Sequence, residues 1–497
     1  MSATQPEKAG RGQTRLRIVR IGGLLVVLLP ITAFLFPGFG DALWHSALAV
    51  RDSVRMARRR NPATSHPPLP RDAKEEARVA QRIEGSTIDL FSTEVRALAR
   101  WGDGIAAGGL HYPGIGIVRM DSSGHLDRVF TDRAANDLLS YGSGYVNRIV
   151  VAPDGSFTIL IGSFGTIPVL KLMRDGHVDR GFLDALAFFN ESYSVYHAAV
   201  LHNGDVALTG GFWHRRSAHE VPEQWRLAYV DNLNRLVTSW PSAELEVLRT
   251  DSFLAAESSG SLLLQSSLRR RDPLGMPFFG LARIQADGGW DTAFTQTTAA
   301  IGRGSKIIGL ADGRIIEVAI EDGQYCTEKN VPAWADCVGS FRPTEKLLIT
   351  VMARTGAVTA RFATTWCATE GRGTVADIAV DRSGRLLVAG NVSIGDGALR
   401  DVDRPSGGKL LQQPPICIRS ALARIDLAEA KIDIEFSRRF DPKHLAALTT
   451  EPIRSTVPVQ AVLPMGDDSL VIGGSFTHVD GRERRHIAWI DSDGMPR

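Results

Sequence analysis

One unit recurs through most of this sequence, and it limits the possible folds more than any other feature. It is a short apolar run, a tight turn built on Asp, Asn or Gly, and a second apolar run ending in glycine. The unit is plainest in VADIAVDRSGRLLVAG (Val375–Gly390) and VQAVLPMGDDSLVIGG (Val459–Gly474). Earlier copies are VRALARWGDGIAAGG from Val95, VNRIVVAPDGSFTILIG from Val146 and VYHAAVLHNGDVALTGG from Val195, with looser ones from Ser252 and Lys306. The runs are too short for helices and are bounded by turn formers, so each copy reads as a β-hairpin. A polar loop and a second hairpin follow each first one, as in IGIVRMDSSGHLDRVF (Ile115–Phe130) and ALARIDLAEAKIDIEF (Ala421–Phe436). Four antiparallel strands per unit, repeated at roughly 50–80 residues, predict an all-β, seven-bladed β-propeller with four-stranded blades.

The seventh unit ends early. After the turn Ser492-Asp493-Gly494 only Met495, Pro496 and Arg497 remain, which leaves the blade one strand short. GSTIDLF (Gly85–Phe91) has the pattern of the fourth strands elsewhere, GHLDRVF, GHVDRGF and GGWDTAF. Ser86–Phe91 is therefore expected to complete the last blade, closing the ring and removing an edge open to aggregation. The Asp that recurs before Phe in this pattern (Asp127, Asp179, Asp291, Asp433) reads as a strand residue that supports a turn or an inter-blade hydrogen bond.

The combined pattern is V-x-x-apolar, D/N-G, an apolar strand, G-G, then I-A-R-apolar-x-x-D-G and apolar-D-x-x-F. It resembles the delta-60 repeat family of bacterial surface and exported proteins, over about Val95 to Arg497. The resemblance implies a β-propeller and no particular activity.

The N-terminus is of another kind. Basic residues Lys8 to Arg20 precede the uncharged run Ile21–Gly40, which is long enough to cross a bilayer. Two readings stand: a transmembrane anchor, which is preferred, or a cleaved secretory signal ending near Gly40-Asp41-Ala42. Either exports the rest of the chain, to the bacterial periplasm or cell surface. The expected organisation is a basic cytoplasmic N-terminus (1–20), the anchor or signal (21–40), a juxtamembrane helix, Pro-rich linker and short helix (41–84), and the propeller (85–497).

With 57 basic and 55 acidic residues the net charge is +2, which gives no electrostatic reason to expect nucleic acid. The four cysteines form no C-x-x-C, so their spacing does not suggest zinc. In an exported chain their even number is compatible with two disulfides, expected as Cys326–Cys337 and Cys367–Cys417, the alternative being buried free thiols.

No motif calls for a cofactor, a metal or a known catalytic constellation: there is no H-E-x-x-H and no P-loop. Length varies chiefly in the loops joining second to third strands. In an antiparallel blade these loops emerge on the same face as the blade-to-blade connections, so the elaboration gathers on one side, as a displayed binding surface would. They carry Tyr112, Trp213, Arg215, Arg216, Trp225, Arg269, Arg270, Arg271, Arg482, Arg484 and Arg485. Arginine and aromatic residues are enriched at binding hot spots and suit carboxylate or phosphate groups. The expected function is a non-enzymatic, membrane-tethered scaffold that binds a protein or an anionic polymer. The alternative is a propeller-type glycan hydrolase or lyase with its site at the channel mouth, for which His111, His214, His219, Glu220 and His478 are candidates.

Overall fold

The repeat forms a run of small antiparallel sheets. The computed structural model describes residue 91 and residues 94–497 apart from several stretches, among them 215–222, 239–244, 271–277, 299–305, 327–340, 402–416 and 446–456. The first-strand starts predicted from sequence each open a sheet. Sheet one is Val95–Trp101, Gly104–His111 and Gly114–Met120; sheet two is Tyr145–Val151, Phe157–Gly162 and Val169–Leu172. Sheet three is Ser192–Val200, Val206–His214 and Glu223–Val230. Sheet four runs Phe253–Ala256, Leu262–Arg270 and Phe278–Ile284, with Leu245–Val247 added beside its middle strand. Sheet five starts with Lys306–Gly309, sheet six with Thr374–Val380 and sheet seven with Val459–Pro464. Most of these antiparallel sheets have three to four strands, sheet five having six, and such small sheets strung along a mostly β chain are consistent with propeller blades.

The first strands touch one another in chain order, and the last, Val459–Pro464, touches the first, Val95–Trp101. The glycines of the repeat explain how. In sheets one, three, six and seven the register shifts just after the leading Val95, Val195, Val375 or Val459. A Cβ on the glycine opposite (Gly109, Gly210, Gly390 or Gly474) would lie within about 2 Å of the carbonyl oxygen of the residue preceding that Val. Only glycine lets the bulged strand approach so closely. One residue earlier, a Cβ on Gly108 would stand 2.6 Å from Val146 of the next sheet. Gly473 of sheet seven stands in the same relation to Val95 of sheet one, also 2.6 Å. One packing device thus joins neighbouring sheets and joins the last sheet to the first.

The expected fourth strands differ in most sheets. After each third strand of sheets one to four and seven the chain makes a single bridge, such as Met120↔Leu126 or Ile284↔Trp290. In sheets one, two and four it then turns into a helix: α1 (Arg128–Leu138), α2 (Arg180–Leu186) and α3 (Thr292–Thr298). In sheet six a two-residue strand, Lys431–Ile432, precedes α4 (Ile434–Arg439). A full fourth strand, Val358–Ala363, stands in sheet five.

The recurrent Asp is the reason. Asp127, Asp179, Asp291 and Asp433 accept the backbone N–H of Phe130, Phe182, Phe294 and Phe436, three residues on, at 3.0–3.2 Å. That is a helix N-cap, and it corrects the reading of these aspartates as strand residues. The same carboxylates pair with a third-strand cation: Arg119, Lys171, Arg283 or Arg424. Three of those cations also lie over the capped Phe, at 4.6, 3.9 and 4.0 Å. In sheet seven, Arg497 occupies the capping position, its N–H bonded to Trp489 as that of Asp127 is to Arg119.

Ser86–Leu90 and the N-terminal segment with its expected membrane or signal helix lie outside the described residues. Phe91 is 4% exposed, in a core shared with Val95 and Ile105 of sheet one and Val471 and Ile487 of sheet seven. Cys367 and Cys417 form a disulfide with Cα atoms 5.6 Å apart. Cys367 lies in a short strand paired to sheet five and Cys417 directly precedes Ile418–Asp426 of sheet six, so the bond ties adjacent sheets together. Of the other expected pair, Cys326 ends the second strand of sheet five and Cys337 lies outside the described residues.

Candidate functional site

A polar cavity of about 410 Å³ lies among the beginnings of the first strands. A strand's beginning is the end nearest the blade-to-blade connections, hence the side of the second-to-third loops. The bulges supply its lining. A bulge inserts one residue and re-aims its neighbours. The shifts after Val95, Val146, Val195, Val375 and Val459 bring Arg96, Arg148, His197, Asp377 and Gln460 to the cavity wall, joined by Lys306 of sheet five and Tyr196. Sheet four contributes Phe253, a buried ring on which three of these side chains converge. The His197 ring is 4.4 Å from its centroid, the Arg148 guanidinium 5.2 Å and the Lys306 ammonium 5.5 Å.

The hydrogen bonds fix protonation states. Arg148 Nη1 stands 3.2 Å from His197 Nδ1. Arginine carries no acceptor, so His197 Nδ1 must offer its lone pair and the imidazole is neutral. Electrostatics agree: burial, then the charges of Arg148 and Lys306, hold His197 well below its ordinary value. Burial also lowers Lys306, to about 8, against the pull of Asp377 and with help from Arg148. Asp377 is raised by burial, although Lys306, the Val462 amide at 3.0 Å and Arg148 all favour its charged form. Among the described residues no ion pair joins Asp377 to either cation. Arg96 is neutralised by Glu94, whose other oxygen accepts from Gln460 Nε2 at 2.5 Å across the junction of the last and first sheets.

The residues expected to form a binding face are placed differently. Trp225 is half-buried among Phe188 and Phe189, and Trp213 is the last residue but one of the second strand of sheet three. Arg269 is paired with Glu246, and Arg270 stands opposite Leu245. Arg482 and Arg484 donate to the main-chain oxygens of Pro496 and Arg497, so these two gather around the last residues, while Arg485 pairs with Glu483. Tyr112, Arg215, Arg216 and Arg271 lie outside the described residues, as do His219 and Glu220. His214 stacks on Phe188 at 3.9 Å and bonds its carbonyl, while His478 bonds Thr477. His111 ends the second strand of sheet one.

The cavity residues were not singled out in the sequence, yet a signal exists. The third residue of the unit is Arg in VNR, His in VYH and Asp in VAD, where an inner strand favours apolar side chains.

No family model and no curated protein matches the chain. Solved structures do. A gluconolactonase from Xanthomonas campestris is 11% identical over 61% of this chain and 85% of its own, with a TM-score of 0.32. A GH93 α-L-arabinofuranosidase of Fusarium graminearum is 13% identical over 69% and 92%, TM-score 0.27. A prolyl endopeptidase is 8% identical over 81% and 59%, TM-score 0.32. Likenesses this distant leave fold and function to be argued from the chain's own residues.

Proposed function

We propose that this chain is an exported, membrane-tethered, closed seven-bladed β-propeller. In this reading it is a non-enzymatic scaffold whose loop-bearing face binds a protein or an anionic polymer. Export rests on the apolar run Ile21–Gly40 and on the delta-60-like repeat. Closure rests on the shared packing of Gly108 on Val146 and Gly473 on Val95. The observation that carries the binding function is the cavity at the loop side of the first strands, where Arg148 and Lys306 outweigh Asp377 in charge.

The enzyme alternative draws on one feature, the neutral imidazole of His197 beside Arg148 at the same cavity. A glycan hydrolase or lyase would turn over a polymer, whereas the scaffold only retains it. The test is capture of the full-length protein on polygalacturonate beads against neutral galactan beads. Selective capture is expected, without release of new sugar ends. It should weaken as salt rises from about 0.05 to about 0.5 M, because exposed charges are then screened. Replacing Arg215, Arg216, Arg270 and Arg484 by Glu should weaken it further. Equal capture on both beads overturns the anionic-polymer reading, and new sugar ends in a sample of the wild type establish the enzyme.

A further inference from the structure

The geometry points to the channel-mouth cavity as a subsite for one carboxylate on a ring-sized acid, such as a uronate, held between Arg148 and Lys306. Charge balance selects the ligand class. With Asp377 ionised, the form that its hydrogen bond from the Val462 amide and the two neighbouring cations favour, these three groups sum to one excess positive charge; His197 is neutral, and Arg96 is neutralised by Glu94. A singly charged carboxylate cancels that excess. A doubly charged phosphate would leave a net negative charge in a partly enclosed site, where an unpaired charge is costlier than in open water.

The donors are in place for such an anion. No ion pair ties Arg148 or Lys306 to Asp377 among the described residues, so both keep N–H groups for a ligand, and the Phe253 ring steadies both. Arginine can grip a carboxylate through two parallel bonds. Beside the charged groups stands Tyr196, half exposed on the cavity wall, with an apolar face for a sugar or other small ring. At about 410 Å³ the cavity falls within the range of roughly 300–1,000 Å³ usual for small-ligand sites.

This inference deepens the anionic-polymer reading and rests on it for the source of the acid, but the pocket can be tested apart. The probes are D-galacturonate, neutral D-galactose and inorganic phosphate, titrated calorimetrically into the full-length protein. Galacturonate is expected to bind, with galactose and phosphate at least ten-fold weaker. R148M and K306M should each cost ten-fold or more. Misfolding could imitate that loss, so D377N is the deciding variant. It removes the competing negative charge, and its amide oxygen can still accept from Val462. Galacturonate should then bind several-fold tighter and phosphate should become a ligand, a gain that misfolding cannot produce.

If galacturonate does not bind while polygalacturonate beads still capture the protein, the subsite is wrong and the scaffold reading stands. If the monomer binds and the beads fail, the acid is a free small molecule and the polymer reading falls. Unchanged phosphate binding in D377N overturns the charge-balance argument itself.

Discussion

Single residues set the chemistry of this protein at a position the repeat leaves free. The leading Val of each unit is constrained by packing and the glycine opposite it by the bulge, but the side chain two places after the Val borders the cavity among the first strands. Arg148, His197 and Asp377 all stand there. Their types were readable in the sequence; their convergence was not, because it depends on seven strands meeting at one place. Lys306 was harder still, since its unit lacks the leading Val. This lysine has a measurable consequence. Its folded value of about 8 lies below the ordinary 10.5, so between those limits the unfolded chain binds more protons at this site than the folded one. Lys306 therefore opposes folding below pH 8, and stability should rise as pH climbs from 8 towards 10.5, by no more than about 1.4 kcal/mol per unit. Urea unfolding at pH 7.5 and pH 9.5 checks this, with K306M as control. Wild type should gain relative to K306M at the higher pH, and parallel changes in the two would show that Lys306 titrates normally.

At the level of elements, hairpins and turns were legible because each has a local cause. The helices were not, because seven residues such as GHLDRVF fit a short strand as well as the start of a helix. What decides is the reach of one carboxylate to an N–H three residues on, together with its pairing to a cation in the preceding strand. Asp433 does both: it caps α4 and takes Arg424 Nε at 3.0 Å. Asp433→Ala should cost the cap, roughly 1 kcal/mol, plus whatever Arg424 loses. Asp433→Asn, which keeps the cap and drops the charge, should cost less. Chemical denaturation ranks the two, and equal losses would mean that the cap contributes nothing. The glycines offer a sharper contrast. A methyl on Gly474 would stand 1.8 Å from the Pro458 carbonyl, whereas one on Gly384 meets nothing within 4 Å. G384A should cost only the strain of its left-handed φ of +80°, about 1–2 kcal/mol. G474A must break the bulge, so it should cost more than that and also disturb the first strand beside it, which hydrogen exchange at Ala461 and Val462 would report.

Across the whole molecule the question is what resists opening of the proposed ring, and two links answer it at different places. The Cys367–Cys417 bond spans 50 residues between sheets five and six. Removing both sulfurs (C367A with C417A) should cost up to about 4 kcal/mol on the chain-entropy view and loosen that junction first. The other link is the junction of the last sheet with the first, where no covalent bond closes the chain. There the contacts are Val95 against Gly473, Gln460 with Glu94, and Phe91, whose ring is buried with side chains from both sheets. Phe91 precedes the first strand by only a few residues, so the end of the GSTIDLF match, read from sequence as a closing strand, supplies an apolar plug between sheets 366 residues apart in the Gln460–Glu94 pair. Phe91→Ala should then cost about 3–5 kcal/mol, as removal of a buried aromatic does. A chain starting at Val95 should lose at least as much relative to one starting near Arg71, with exchange protection falling first in Val459–Pro464 and Val95–Trp101 together. Equal melting temperatures for the two chains would show that the ring closes without the N-terminal segment, through Val95 and Gly473 alone.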